Sequence, residues 1–198
     1  ARKIDVAHHH YLAWLASLIA GEGAQALTHI ETANAIADRY GGPQQHALGR
    51  LAQAQALHAV QRTDEAWSLL AHGRRIGRSM DSDILCFQAD LCEAAFALDE
   101  GDEARCASAL RSAFTIGARR DYLNHNTFRP AFVARLCAFA LAHDIVPEYA
   151  RRLIRLRCLK PPTLEVECWP WPVKIHTVGS FCLVGDGETV AESGSHLQ

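Results

Sequence analysis

Residues 22–40 read EGAQALTHIETANAIADRY, and their pattern returns at residues 62–80, RTDEAWSLLAHGRRIGRSM, and at residues 102–120, DEARCASALRSAFTIGARR. The three stretches lie forty residues apart, and their small or apolar positions are spaced three, four or seven residues apart, which is typical of one helix face. The equivalent positions are Ala26, Ala66 and Cys106; Ile30, Leu70 and Leu110; Ala33, Gly73 and Ala113; Ile36, Ile76 and Ile116; Ala37, Gly77 and Gly117. A helix face that repeats in this way indicates helical pairs that stack on one another.

The helix that precedes each of these stretches repeats as well. Its equivalent positions are Tyr11, Leu51, Leu91 and Ala131, and Trp14, Ala54, Ala94 and Ala134. We expect eight helices, over residues 4–20, 24–40, 43–61, 64–80, 83–100, 103–119, 127–143 and 147–158. Pro43, Pro130 and Pro147 suit first turns. Thr63, Ser82, Asp102 and Asp144 are expected to cap helices.

The predicted fold class is all-α: four antiparallel helical pairs in a right-handed, tetratricopeptide-like α-solenoid with a repeat of about 40 residues, ending in a short C-terminal β-hairpin segment. Of 33 alanines, 32 lie at or before Ala150, and such small residues allow helices to pack closely. An alanine-rich bundle would share this composition, but it would not be expected to keep a forty-residue register. The expected domains are the solenoid over residues 1–159, a proline-rich linker over 160–172 and a β segment over 173–198.

The composition excludes several classes of protein. A chain of 198 residues with 49% apolar and 21% charged residues is ordinary for a globular protein, and a net charge of −2 gives no basic field for nucleic acid. Its seven cysteines contain no CxxC pair, so they predict neither a zinc ribbon nor a disulfide framework, and they favour a reducing, cytoplasmic location. No stretch reaches the roughly 18–20 apolar residues that span a bilayer, so no membrane role is expected.

The helical pairs resemble the tetratricopeptide-like repeats of MalT-type, ATP-dependent bacterial transcriptional regulators. The turn motifs AGEGAQA at residues 20–26 and EGDEA at residues 100–104 carry this likeness, together with HHHYLAW at residues 8–14. It covers residues 1 to about 158. The resemblance implies a regulator that binds ATP. This chain has no P-loop, so ATP would bind a domain upstream of it. No cofactor is expected within the chain itself.

A second resemblance concerns the tail. WPWPVKIHTVGSF at residues 169–181 is similar to the opening of an OmpR-like winged-helix DNA-binding domain, as found beside bacterial transcriptional activator domains. Val178 stands where that pattern usually has leucine. The resemblance implies that the recognition helix lies beyond Gln198, that DNA is bound only through this missing part, and that the chain is the middle of a longer protein.

We call each set of equivalent positions in successive repeats a column. The candidate binding residues lie one position away from the apolar columns of the first helices. His10, Arg50 and Asp90 share one column and Gln53 and Glu93 the next, so they could form a polar ladder for an effector or partner on the concave face. The simpler alternative, which we favour, is that Arg50 and Asp90 pair with each other.

Two further groups of side chains have structural explanations. Arg151, Arg152 and Arg155 could contact nucleic-acid phosphate, but they also suit the last turns of a helix or a position facing the acidic stretch 99–103. His8, His9 and His10 point in three directions on a helix, so no metal site is predicted from them.

The sequence therefore predicts a non-catalytic sensor or protein-interaction region of a bacterial transcriptional regulator. A protein partner or small-molecule effector would bind the concave face, and a homo-oligomer is possible. The main alternative is a free-standing helical-repeat adaptor that binds another protein. An enzyme is the weakest alternative, because no acid–base or metal constellation has a chemically meaningful spacing.

Overall fold

A computed structural model describes residues 2–125, 127–164, 166–176, 181–185 and 188–193. The helices of this part are α1 (Lys3–Ile19), α2 (Gly23–Tyr40), α3 (Pro43–Ala59), α4 (Thr63–Ser79), α5 (Asp83–Asp99), α6 (Glu103–Arg120), α7 (Pro130–Ala142) and α8 (Pro147–Leu156). Three strands follow, β1 (Val173–His176), β2 (Phe181–Gly185) and β3 (Glu188–Ser193). None of the helices within these ranges is both long and apolar enough to cross a membrane.

All eight predicted helices are present in the structure, and seven of them begin within one residue of the predicted start. The exception is α7, which begins at Pro130 and not at residue 127. Arg129 is extended there, with φ −122° and ψ 117°, because the ring of a following proline disfavours the helical conformation.

The predicted caps are only partly correct. The Asp102 side chain accepts a hydrogen bond from the Arg105 backbone N–H at 3.0 Å, as predicted. Ser82 occupies the cap position of α5, but its side chain makes no capping bond. Thr63 was predicted as a cap and is instead the first residue of α4, whereas Asp144 lies two residues before the cap of α8 in a left-handed conformation.

Burial repeats with the sequence. The columns headed by Ala26, Ile30, Ala33 and Ala37 are buried in all three second helices, and the isoleucine column that begins with Ile36 is half-buried in each. In the first helices, the column of Trp14 is buried in all four pairs. The column of Tyr11 was predicted to include Ala131, which is wrong: Ala131 is exposed in the first turn of α7, because the longer connection before that helix shifts the fourth pair.

The turn inside each of the first three pairs has one backbone geometry. Gly21, Gln61 and Gly101, forty residues apart, have φ values of +80°, +63° and +77°. The residue after each of them donates its backbone N–H to a carbonyl five residues earlier at 2.8 to 2.9 Å, the six-to-one bond of a Schellman motif. The repeat therefore extends to backbone conformation.

Consecutive helices pack as hairpins, α1 on α2, α3 on α4, α5 on α6 and α7 on α8. Second helices pack on the next pair, α2 on α3 and α4 on α5, and each first helix also contacts the next first helix. The core is divided into three clusters that follow this order, around Trp14 and Ile30, around Leu51 and Leu70, and around Phe114 and Leu136.

The proline-rich segment packs on the last helices. Trp169 is 3% exposed and belongs to the same core cluster as α5 to α8, and Val166 and Trp171 pack against that cluster. The three strands are antiparallel in the order β1-β2-β3, with Val173 opposite Gly185. Residues 177–180, which include Val178 of the winged-helix motif, and residues 186–187, at the centre of the predicted turn, lie outside the described residues.

Candidate site at the first helices

A half-buried cation, Arg129, lies where α3, α5 and α7 meet. We call the side chains around it the Arg129 cluster, which consists of Gln55, His58, Asp99, Arg129 and Arg135. Arg129 occupies the N-cap position of α7 without a side-chain capping bond, and its Nη2 donates to Gln55 Oε1 on α3 at 3.1 Å. This hydrogen bond joins residues 74 positions apart in the chain and passes over α5.

Within the described residues, no carboxylate lies at ion-pair distance from Arg129. Its guanidinium carbon stands 4.5 Å from the centre of the Phe132 ring, and its Nε is buried without a hydrogen-bond partner. Burial lowers the pKa of Arg129, although the side chains of Cys92 and Asp99 oppose that effect. A guanidinium that is partly withdrawn from water and has, within the described ranges, only a neutral amide as partner is costly, and its planar fork matches the two oxygens of a carboxylate or phosphate.

His58 forms the opposite side of the cluster. Its ring stacks on Phe96 with the centroids 4.0 Å apart, and its nitrogens lie 3.8 to 3.9 Å from the carboxylates of Asp99 and Glu100. Burial, together with the charges of Arg129 and Arg135, lowers the pKa of His58 more than these two carboxylates raise it, so the ring is neutral at pH 7. Asp99 itself is paired with Arg135 at 2.5 Å. Among the described residues, Arg135 thus has an acidic partner and Arg129 has none.

The five residues predicted as a polar ladder join neighbouring helices. Arg50 binds Asp38 on α2 at 2.9 Å, and Gln53 accepts from Asn34 on the same helix at 3.0 Å. The predicted pair between Arg50 and Asp90 is therefore wrong. Helices α3 and α5 turn this column toward the second helix of the preceding pair, so Arg50 meets α2 and Asp90 meets α4.

Asp90 and Glu93 are brought together by Arg74 of α4. Asp90 also accepts from Ser112 at 2.6 Å, and Glu93 accepts from Arg105 at 2.8 Å. Burial raises the pKa of Asp90. Burial also acts to raise the pKa of Glu93, but the hydrogen bonds from Arg105 and Arg74 together lower it. Both carboxylates thus hold α5 against α4 and α6.

His10, the remaining ladder residue, lies near a histidine of its own pair. Its Nδ1 is 3.2 Å from Nδ1 of His29 on α2, and burial, with His29 and His9, lowers its pKa. His8 and His9 are exposed. In the part of the chain that the structure describes, no group of three or more His, Cys, Asp or Glu side chains is arranged to hold a metal ion.

Two of the three arginines of α8 have acidic partners. Arg151 binds Glu148 at 2.5 Å and Arg152 binds Asp121 at 2.6 Å, so neither of them pairs with the acidic stretch 99–103. Arg155 is exposed. Their contact with nucleic acid stays a prediction.

The buried cysteines pack as small apolar side chains. Cys92, Cys106 and Cys137 are buried, and burial raises the pKa of Cys92 and Cys137 to about 12 and that of Cys106 to about 11. Thiols with such pKa values are protonated at neutral pH and are poor nucleophiles.

Sequence reasoning missed Arg129 as a site residue. The sequence does show an arginine immediately before the proline that begins α7. It does not show that this arginine contacts Gln55, which lies two helical pairs earlier in the chain. The described part of the molecule consists of packed helical hairpins followed by three short strands, and Arg129, before α7, has no acidic partner in that part. Comparison with protein-family models, with curated proteins and with solved structures gives no match.

Proposed function

We propose that this chain is the non-catalytic sensor region of a bacterial transcriptional regulator, built as an α-solenoid, and that it binds an oxyanion group of an effector or partner at the Arg129 cluster. The observation that carries the proposal is the half-buried Arg129 side chain, whose Nε is buried without a partner and whose guanidinium is bonded, among the described residues, to the neutral side chain of Gln55 alone. A carboxylate or phosphate would provide the charged partner that this site lacks.

The position of Arg129 supports a route by which ligand binding there would affect the C-terminal strands. It occupies the N-cap position of α7, and the outer part of α7, at Ala138 and Phe139, shares a cleft with the segment that contains Val166. That segment leads to Trp169 in the core and then to β1. A ligand with different affinities for two positions of α7 would shift the balance between two placements of the strands, and of a winged helix that follows them.

The first test is a titration of the chain with inorganic phosphate and with citrate at constant ionic strength, followed by amide NMR. We expect chemical-shift changes at Gln55 and Arg129, and we expect Arg129→Gln to abolish them. Arg151→Gln, which removes a cation from the half-exposed pair with Glu148, is the matched control and should bind as the parent chain does. Equal binding by Arg129→Gln would refute the proposed site.

The second test concerns the regulator itself. A P-loop ATPase encoded upstream and a winged helix downstream of this segment would support the proposal, and Arg129→Gln in the intact protein should then abolish the effector's influence on DNA binding. Stop codons next to both ends of the segment would contradict it. They would favour the free-standing adaptor, for which the Arg129 cluster would bind an acidic segment of another protein.

A further inference from the structure

One surface of α1 is exposed, although the same surface is buried in the next two first helices. We call it the outer face of α1, and it consists of three exposed residues, namely His9, Leu12 and Ala16. Leu12 is 51% exposed, whereas its equivalents Ala52 on α3 and Cys92 on α5 are 0% and 2% exposed. The equivalents of His9 and Ala16 on α3 and α5 are also buried, namely Gly49, Ala89, Ala56 and Phe96.

On α3 and α5 this surface is covered by the second helix of the preceding pair. Ala52 and Ala56 belong to one core cluster with Ile30 of α2. The Phe96 ring meets the ring of Trp67 on α4 edge to face, with the centroids 5.4 Å apart. The same kind of interface is therefore formed twice, by α2 on α3 and by α4 on α5. Among the described elements, α1 packs on α2 and α3 alone, and neither of them covers its outer face.

The outer face of α1 lacks the charged residues that the end of a helical stack normally carries. Ile19 continues the line of Leu12 and Ala16 at a spacing of three residues, and it is 59% exposed. No Asp, Glu, Lys or Arg occurs between Asp5 and Glu22. The terminal repeats of such stacks have a polar outer surface, because an apolar one would face water. The outer face of α1 thus has the composition of an interface between helical pairs.

We propose that a further second helix, from a helical pair of the same forty-residue repeat that precedes α1 in the intact protein, packs on the outer face of α1. This contact continues the interfaces that join α2 to α3 and α4 to α5. The repeat also gives the positions that the helix would turn toward α1 and its own pair. They lie forty residues before Ile30, Ala33 and Ala37, that is eleven, eight and four positions before Ala1. The inference does not depend on the Arg129 cluster, since a free-standing adaptor could carry the same additional pair.

The first test is the sequence that the gene encodes directly before Ala1. We expect Ile, Leu or Val eleven positions before Ala1, and Ala, Gly, Ser or Cys eight and four positions before it, because the described second helices have apolar or small residues in these columns. Proline or a charged residue at any of the three positions would overturn the proposal, whether or not an ATPase is encoded farther upstream.

The second test compares the chain produced with and without the forty residues that precede Ala1 in the gene. We expect these residues to slow amide hydrogen exchange in α1 by about tenfold or more, because a helix packed on α1 must open before its amides exchange. Equal exchange in α1 of the longer and the shorter chain would overturn the proposal.

A pair of substitutions locates the contact on the outer face. Leu12→Arg should remove the added protection of α1 in the longer chain, and it should leave the shorter chain folded because the residue is exposed there. Leu164→Arg, a matched change at a leucine that is 86% exposed, should keep the protection. Protection that survives Leu12→Arg would place the added helix elsewhere and overturn the proposal.

A second copy of the chain is the other body that could cover this face. Sedimentation velocity of the longer chain, with and without Leu12→Arg, distinguishes the two. We expect both to sediment alike, because the outer face is already covered from within the same molecule. A dimer of the longer chain that Leu12→Arg dissociates would show that a second copy covers the face, and it would overturn the proposal.

Discussion

At the scale of single residues, His125 shows how burial, helped by nearby positive charges, sets a charge state. Its Nδ1 lies 3.0 Å from the hydroxyl of Thr127, its Nε2 is buried without a partner, and its ring contacts those of Phe87 and Phe128. Burial, reinforced by the positive charges of Arg129 and Arg157, lowers the pKa of His125 to about 4. The residue is therefore neutral in the folded protein at every pH near 7.

This lowered pKa predicts a stability that depends on pH. Between pH 6.5 and 4 the unfolded chain binds a proton at His125 that the folded protein does not, so stability is complete above pH 6.5 and falls as the pH drops toward 4. From pH 7.5 to 5.0 this residue should cost about 2 kcal/mol of unfolding free energy. Urea unfolding at both values measures it.

The contribution of His125 is isolated by substitution. His125→Phe keeps the ring contacts and cannot be protonated, so the loss between pH 7.5 and 5.0 should shrink by about 2 kcal/mol. His72→Gln, at an exposed position, is the control and should retain the full loss. An unchanged pH dependence in His125→Phe would show that the histidine is accessible to solvent in the folded chain.

At the scale of elements, the three equivalent turns allow a direct comparison. Gly21 and Gly101 have no atom within 4 Å of the place where a Cβ would stand, so only their left-handed backbone favours glycine. Gln61 adopts the same conformation with a side chain. Gln61→Gly should raise the free energy of unfolding by about 1 kcal/mol, and Gly101→Gln should lower it by a similar amount. Thermal unfolding that moves both variants in the same direction would contradict the shared turn geometry.

Another glycine, Gly77, is required by close packing between helical pairs and not by its backbone conformation. A Cβ on Gly77 of α4 would lie 2.9 Å from the Cβ of Leu85 on α5, which is too close. Gly77→Ala should therefore lower the unfolding free energy by about 1–2 kcal/mol, although alanine favours the helix by about 1 kcal/mol. Ala37→Gly, the reverse change in the same column, should cost about 1 kcal/mol from helix propensity alone. A more stable Gly77→Ala variant would mean that α4 and α5 are farther apart.

The elements also show where sequence reasoning succeeds. Pro43 and Pro147 begin helices, and this could be predicted because local backbone chemistry decides such positions. The column of Ile30 is buried, and this could be predicted from the helical periodicity of the apolar residues. The partners of Arg50 and Asp90 could not be obtained in this way. These partners depend on how far one helical pair is rotated relative to the next. The spacing of residues along a single helix does not determine that rotation.

At the scale of the whole molecule, the proline-rich segment is part of the helical core at Trp169. Trp169→Ala should lower the free energy of unfolding of the full chain by about 3–5 kcal/mol because it opens a large cavity. Val173→Ala, four residues later and 51% exposed, should change it by no more than about 0.5 kcal/mol. Denaturant unfolding of both variants tests this, and similar values for the two would place Trp169 outside the core.

The hydrogen bond between Gln55 and Arg129 has a consequence for how the molecule unfolds. In a stack where each pair touches only its neighbours, the ends can open one after another while the middle remains closed. This bond ties the second pair to the start of the fourth across the third. The last pair therefore cannot fray without disturbing α3. Slow amide protons in α3 and α7 should exchange together, as one cooperative unit, in native-state hydrogen exchange.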